Sequence, residues 1–513
     1  MQAMNNNIYE YIRRNNSNPE NTFLDVPGGQ TFSYAASFSL AHQYANLFVQ
    51  LGLQPGDRVA IQVEKSPEAL LLYLGVLAAG GVYLPLNVGY TLVELEYFIS
   101  DAAPRIVVCR PDIQAALQPL VEKCNVAHCL TLGVNGEGSL LELARRASTA
   151  FVPVVREAHD LAAILYTSGT TGRSKGAMLS HNNLLCNAMT LVSLWRFSAH
   201  DRLLHALPIF HTHGLFVATN ITLLSGASML FLPKFDPDQI IDLLPRATCM
   251  MGVPTFYVRL LLQSELTRDL VRNVRLFISG SAPLLAETHR EWEARTGHRI
   301  LERYGMTETN MNTSNPYEGD RMAGTVGRPL PDVDLRITDP DTGRILARND
   351  IGMIEVKGPN VFKGYWRMPE KTAQEFRPDG YFITGDLGKI DDKGYVHIVG
   401  RGKDLIISGG YNVYPKEVET EIDGIPGVIE SAVIGLSHHD FGEAVAAVVV
   451  KSASRDLTEH AILKALDGRL AKFKQPKRVL FVDDLPRNSM GKVQKNVLRD
   501  TYRDVFAGGR GGV

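Results

Sequence analysis

From Arg58 to Ser279 the chain alternates short apolar runs of strand length with longer runs of helical character, and few folds satisfy that rhythm. Arg58–Val63 has the length and apolar, branched content of a buried strand. Ser66-Pro67-Glu68 then supplies a cap, a first-turn proline and an acid, which together start a helix, and Gly80-Gly81 stops it before Val82–Leu86. The pattern recurs at Leu161–Tyr166, Ala227–Leu232 and Leu276–Ser279. Alternation of this kind predicts an α/β fold with largely parallel sheets.

A chain of 513 residues exceeds what one core serves, so two or more domains are expected. After about Gly319 the texture changes to short, turn-bounded strands (Val333–Thr338, Gly352–Val356, Gly380–Thr384, Gly394–Val399), which predict a β-rich subdomain closing the large N-terminal part. A small α/β module follows, with helix over Val418–Ile422 and Glu459–Leu470 and strand over Glu430–Gly435 and Ala444–Val450. Gly400-Arg401-Gly402-Lys403-Asp404 is polar and Gly-rich between two apolar strands, as a hinge should be. Residues 1–402 and 403–513 are therefore the expected domains, with the hinge near Asp404.

A net charge of −2 gives no basic footprint, so neither nucleic acid nor a membrane surface is an expected partner. Two uncharged runs, Ala69–Leu86 and Leu203–Pro233, are broken by glycine and proline and read as buried helix-and-strand units rather than membrane spans. The five scattered cysteines suit a reducing compartment, and the first residues lack a secretion signal's apolar stretch, so a cytoplasmic location is expected.

The run Tyr166-Thr167-Ser168-Gly169-Thr170-Thr171-Gly172-Arg173-Ser174-Lys175-Gly176 follows an apolar strand. Its glycines let backbone N–H groups approach an anion, its hydroxyls add donors, and Lys175 adds charge, so a polyphosphate is the natural guest. It is not a Gly-Lys-Ser/Thr P-loop, because Lys175 precedes Gly176.

This run resembles the signature of the superfamily of acyl- and aryl-CoA synthetases, peptide-synthetase adenylation domains and luciferases, and similar motifs extend from near Leu51 to near Arg499. The resemblance implies a large N-terminal domain, a small mobile C-terminal one, and adenylation of an acid by ATP with Mg²⁺ before transfer to coenzyme A. Glu302-Arg303-Tyr304-Gly305-Met306-Thr307-Glu308-Thr309 is similar to the second adenylate motif. By that likeness Glu302, Arg303 and Tyr304 belong to the ATP site with Tyr304 on adenine, Thr307 contacts phosphate, and Glu308 holds the metal. Asp386, in Tyr381-Phe382-Ile383-Thr384-Gly385-Asp386, and Arg401 would meet the ribose. Lys492, in Pro486–Lys495, matches the catalytic lysine that bridges carboxylate and α-phosphate. Rotation about Asp404 would withdraw it and present Gly409, Gly410 and Tyr411 for the coenzyme A step. Its exposure also makes Lys492 a candidate target for a lysine-acetylating enzyme.

The acyl pocket is expected from Phe210–Gly214, Val253–Arg259 and Ser279–Pro283. An arginine there is costly unless a second substrate carboxylate pairs with it. Arg259 is the expected clamp, with Arg290 and Arg303 as rivals; His211 and Ser281 are candidate pocket residues, and His213 reads as structural. The pattern resembles malonyl-CoA synthetases, which implies malonate as the acid. Methylmalonate, acetate, a fatty acid, or loading of a separate carrier protein are the alternatives.

Overall fold

A computed structural model describes the chain except residues 1–4, 17, 168–173, 409–410, 439–440, 453–456, 489–490 and 507–513. Among the described residues four sheets organise the fold. In the six-stranded one, His128–Thr131, Ile106–Cys109, Arg58–Gln62, Val82–Pro85 and Leu161–Thr167 run parallel, and Lys175–Ser180 closes it antiparallel. The nine-stranded one has a parallel centre that includes Ser228–Phe231, Arg202–His205, Cys249–Gly252, Leu276–Ser279 and Leu301–Met306, with antiparallel strands at both ends.

The helix Pro67–Ala78 starts as its sequence dictates, with the Ser66 side chain accepting from the Ala69 N–H and Pro67 in the first turn. Every residue from Ala69 to Ala78 is buried, so the helix is apolar all round rather than amphipathic. Gly75 allows its close packing: a Cβ there would lie 2.6 Å from the Cβ of Tyr44 in the helix Tyr34–Gln50. Both long apolar runs thus become buried helix-and-strand units, and among the described residues no helix is long and apolar enough to cross a membrane.

The β-rich part is a four-stranded antiparallel sheet of Asp334–Thr338, Gly352–Lys357, Phe382–Ile390 and Val396–Arg401. A short 3-10 turn, Gly402–Asp404, leads from it into Ile406–Ser408, the first strand of the C-terminal sheet. That module has its own cores, built on the hairpin of Val428–His438 and Gly442–Lys451 with the helices Pro415–Asp423 and Glu459–Leu466. The hairpin outruns the apolar stretches that betray it, because polar Ser437 and His438 continue its ladder. The second helix ends at Leu466 rather than Leu470, since Asp467 turns extended and Gly468 takes a left-handed φ of 76°.

Candidate active site

A cleft of about 1340 Å³ gathers side chains from every part of the fold, among them Thr167, Lys175, His211, Arg303, Glu308, Arg401 and Lys492. The run read as a phosphate loop is the connection of a β-hairpin, with Thr167 opposite Lys175 and Tyr166 opposite Gly176, rather than a strand-to-helix turn. Ser168, Gly169, Thr170, Thr171 and Gly172 lie outside the described residues. At the hairpin's base Lys175 is nearly buried, with its Nζ 3.0 Å from Glu375 Oε1 and 4.1 Å from the centre of the Tyr365 ring. Lys371 holds the same Glu375 oxygen at 2.9 Å. Burial alone would raise the Glu375 carboxyl, but hydrogen bonds from Lys371 and Lys175 outweigh it and hold it low.

Glu308 is differently placed. It is buried, its Oε1 accepts from the Tyr365 hydroxyl at 3.1 Å and the Thr167 hydroxyl at 3.4 Å, and burial raises its pKa. Its side-chain hydrogen-bond donors are neutral, the charges of Lys175 and Arg401 offset its burial only in part, and a hard cation would complete the compensation. The donor set, a carboxylate beside a hydroxyl and a lysine that can meet phosphate, fits Mg²⁺ carried on a nucleotide. Thr307, next to Glu308, also lines the cleft.

Asp386 is fixed by the sheet register that sets it opposite Arg401. Its Oδ1 is 2.7 Å from Arg401 Nε, and its other oxygen accepts from the Tyr304 hydroxyl at 2.5 Å. Neither Asp386 nor Tyr304 is among the cleft-lining residues, but their neighbours Thr384, Gly385 and Arg401 are, and a carboxylate with one cationic and one phenolic partner is a stable acceptor for a diol brought to that wall.

Another part of the lining is built around Arg303, on Leu301–Met306. It is 3% exposed, lines the cleft, and among the described residues its Nε and Nη2 have no hydrogen-bond partner. Burial brings its pKa down to about 9, and no carboxylate pairs with it among the described residues. Gly280 makes room for it: a Cβ there would lie 2.4 Å from the guanidinium carbon. Beside it His213 Nδ1 and Ser281 Oγ share a hydrogen bond of 3.2 Å, while the buried Nε2 of His213 is unpartnered among the described residues. Ser281 holds a left-handed φ of 72° to do so. Burial, then the charge of Arg303, lowers His211 to about 4 and holds His213 well below its ordinary value, so both rings are neutral at pH 7. His213, read from sequence as structural, therefore belongs to the cleft.

Lys492 comes to the same cleft from the C-terminal module. Much of its side chain is open to solvent, but loss of water around its ammonium and then the charge of Arg401 lower its pKa to about 8. Asp404 accepts from Arg499 at 2.5 Å.

Three expected residues lie elsewhere. Arg259 is exposed on the helix Pro254–Leu261, because Tyr257, Leu260 and Leu261 occupy its buried face, and it lines a separate cavity of about 720 Å³ against Asp484–Asn488. It cannot clamp a ligand beside Arg303. The Glu302 side chain is buried away from the cleft, 3.4 Å from His289 Nδ1. Tyr411 is exposed and stacks on Phe473 with ring centres 4.7 Å apart, outside the cleft lining; Gly409 and Gly410 lie outside the described residues.

Residues 12–366 match the family model described as AMP-binding enzyme, and residues 417–492 match the AMP-binding enzyme C-terminal domain. The chain belongs to the AMP-binding enzyme family. Among relatives in that family, a malonate–CoA ligase of Arabidopsis thaliana is 34% identical over 523 aligned positions, covering 93% of this chain and 85% of its own. The ATP-bound structure of MatB from Rhodopseudomonas palustris is 63% identical with a TM-score of 0.96, covering 98% of this chain and 100% of that one. The apo structure of the same protein, with the same identity and coverage, gives 0.86. The arrangement of this AMP-binding enzyme is thus nearer to the nucleotide-bound form of that relative. Sequence reading missed Tyr365, Lys371 and Glu375, which complete the surroundings of Lys175 and Glu308; the only trace is the spacing of Lys371 and Glu375, which suits an i,i+4 ion pair.

Proposed function

We propose that this AMP-binding enzyme is an AMP-forming acid–CoA ligase whose acid is malonate. The observation that carries the choice of acid is Arg303, a buried guanidinium in the cleft wall with two unpartnered N–H donors. A dicarboxylate supplies the missing partner with one carboxylate and reacts through the other. The malonate–CoA ligase among its relatives supports the same reading.

In the first half-reaction a carboxylate oxygen attacks the α-phosphorus of ATP, the bond to the bridging oxygen breaks, and pyrophosphate leaves. The acid is already ionised at neutral pH, so no general base is needed; the task is to hold two anions together. Lys175 and the hairpin beside it receive the outer phosphates, with Thr167 and Thr307 as hydroxyl donors. Asp386 accepts from the ribose hydroxyls with Arg401 alongside, and Tyr304 faces adenine. Glu308 would hold Mg²⁺, which would supply charge neutralisation for the phosphates. Lys492 draws the carboxylate and the α-phosphate together. Arg303 orients the distal carboxylate, with His213, His211 and Ser281 completing the pocket. In the second half-reaction the coenzyme A sulfur attacks the acyl carbon and AMP leaves. The C-terminal module, residues 403–513, would turn about Asp404 to bring Gly409, Gly410 and Tyr411 to that step. We further propose that the enzyme works in the cytoplasm and that acetylation of Lys492 by a lysine-acetylating enzyme silences the first half-reaction by removing its charge.

The test is AMP release with ATP, Mg²⁺ and CoA across malonate, methylmalonate, acetate, butyrate and a long-chain fatty acid. Malonate is expected to give the highest kcat/KM. A higher value for acetate or a fatty acid would overturn the assignment of the acid.

A further inference from the structure

Lys492 is carried on the C-terminal module and meets charges of both signs, so no single partner fixes its ammonium. Arg401 and Lys403 repel its ammonium and Asp386 and Asp404 attract it, among the described residues no carboxylate lies within ion-pair distance of it, and the four-carbon stem of a lysine is itself flexible. Its position is therefore set by the backbone that presents it. On one side of Lys492, Arg487 Nη1 donates to the Gly491 carbonyl at 2.7 Å, and its other nitrogen pairs with Glu430 on Val428–His438. On the other side, Lys495 Nζ is 2.6 Å from Glu419 Oε1. Glu419 lies on Pro415–Asp423, is nearly buried, and accepts from the Val433 N–H at 3.0 Å, so it is anchored to the module's sheet as well as its helix. Arg487 and Val493 form a β-bridge, and the Asn488 and Lys492 backbones are joined by a bond of 3.0 Å.

We infer that Glu430 and Glu419, through Arg487 and Lys495, form a two-point brace that holds the Lys492 backbone in register for adenylation. They are positioning residues, since neither lines the cleft. The brace rests on the ligase reading given above, and it acts on one half-reaction only. When the module turns away, Lys492 has no task, and the thioester step should not sense the brace.

The experiment compares wild type with Glu430→Gln and Glu419→Gln in two separate assays. One is malonate-dependent exchange of labelled pyrophosphate into ATP; the other is consumption of synthetic malonyl-adenylate by CoA. A misplacement of about 1 Å costs on the order of a hundredfold in rate, so exchange should fall by roughly that factor while the thioester step keeps the wild-type rate. The charge-reversed pair Glu430→Arg with Arg487→Glu should not recover the exchange, because a carboxylate at 487 cannot donate to the Gly491 carbonyl. Should a single variant lose its cooperative melting transition, Arg487→Lys takes its place, with the same expected split. Equal losses in both half-reactions, or no loss in either, would overturn the brace. Wild-type protein without any exchange would overturn the ligase reading and the brace with it.

Discussion

Replacing Arg303 with methionine should convert a dicarboxylate pocket into one that favours monocarboxylic acids. Arg303 is 3% exposed and lines the cleft, and its Nε and Nη2 are buried without partners among the described residues. A malonate bound there gains a paired, desolvated ion contact, and truncating one partner of such a contact costs about 2–5 kcal/mol. At 1.36 kcal/mol per factor of ten, that is roughly thirtyfold to several thousandfold in kcat/KM for malonate. Butyrate, which offers a methyl group in place of the second carboxylate, meets the opposite change. In wild type it leaves the guanidinium buried and uncompensated; in Arg303→Met it meets an apolar wall. Its kcat/KM should therefore rise or hold while that of malonate collapses. The assay is pyrophosphate release at fixed ATP and CoA, with both acids titrated through saturation. Equal losses for malonate and butyrate would refute the clamp, since they would mean that Arg303 supports the fold or the nucleotide rather than the acid.

Gly280→Ala should mimic the arginine variant, because the added methyl would lie 2.4 Å from the Arg303 guanidinium carbon. In an Arg303→Met background the same change should cost little, and a double-mutant cycle on malonate kcat/KM measures that coupling. Adenylation should depend on the Lys492 cation, which is present well below pH 8 and lost as pH rises through about 8, its lowered value; pyrophosphate exchange should decline there while the thioester step does not. Glu308→Gln should raise the Mg²⁺ concentration needed for half-maximal exchange and leave the folded structure intact by circular dichroism. Arg259→Ala should leave the KM for malonate unchanged, as its exposed position outside the cleft requires.

Strand–helix punctuation made the large domain legible, because the cap at Ser66, the proline after it and the glycines at the helix end act locally. Composition makes the run from Tyr166 to Gly176 a candidate phosphate binder, but it does not show that the strands on either side pair antiparallel; Lys175–Ser180 looks like any apolar strand, and pairing is a long-range property. Sequence could not rank Arg259 and Arg303 for a related reason. Arg259 closes an expected pocket segment, yet two residues past the buried Tyr257 it turns to solvent, whereas Arg303 lines the cleft, with Gly280, just past the end of another strand, leaving space for it. His213 was taken as structural because nothing next to it in sequence binds it, and its Ser281 partner lies 68 positions away. Lys371 and Glu375 were missed because their purpose appears only when Lys175 arrives from another sheet.

The most direct measurement is exchange of labelled pyrophosphate into ATP by the purified enzyme with Mg²⁺ and no CoA. Exchange that appears with malonate, and is far weaker with acetate or butyrate, is the predicted result. Folded protein that shows no exchange with malonate, or exchanges equally well with butyrate, would contradict the proposal that Arg303 selects a dicarboxylate for activation as its adenylate.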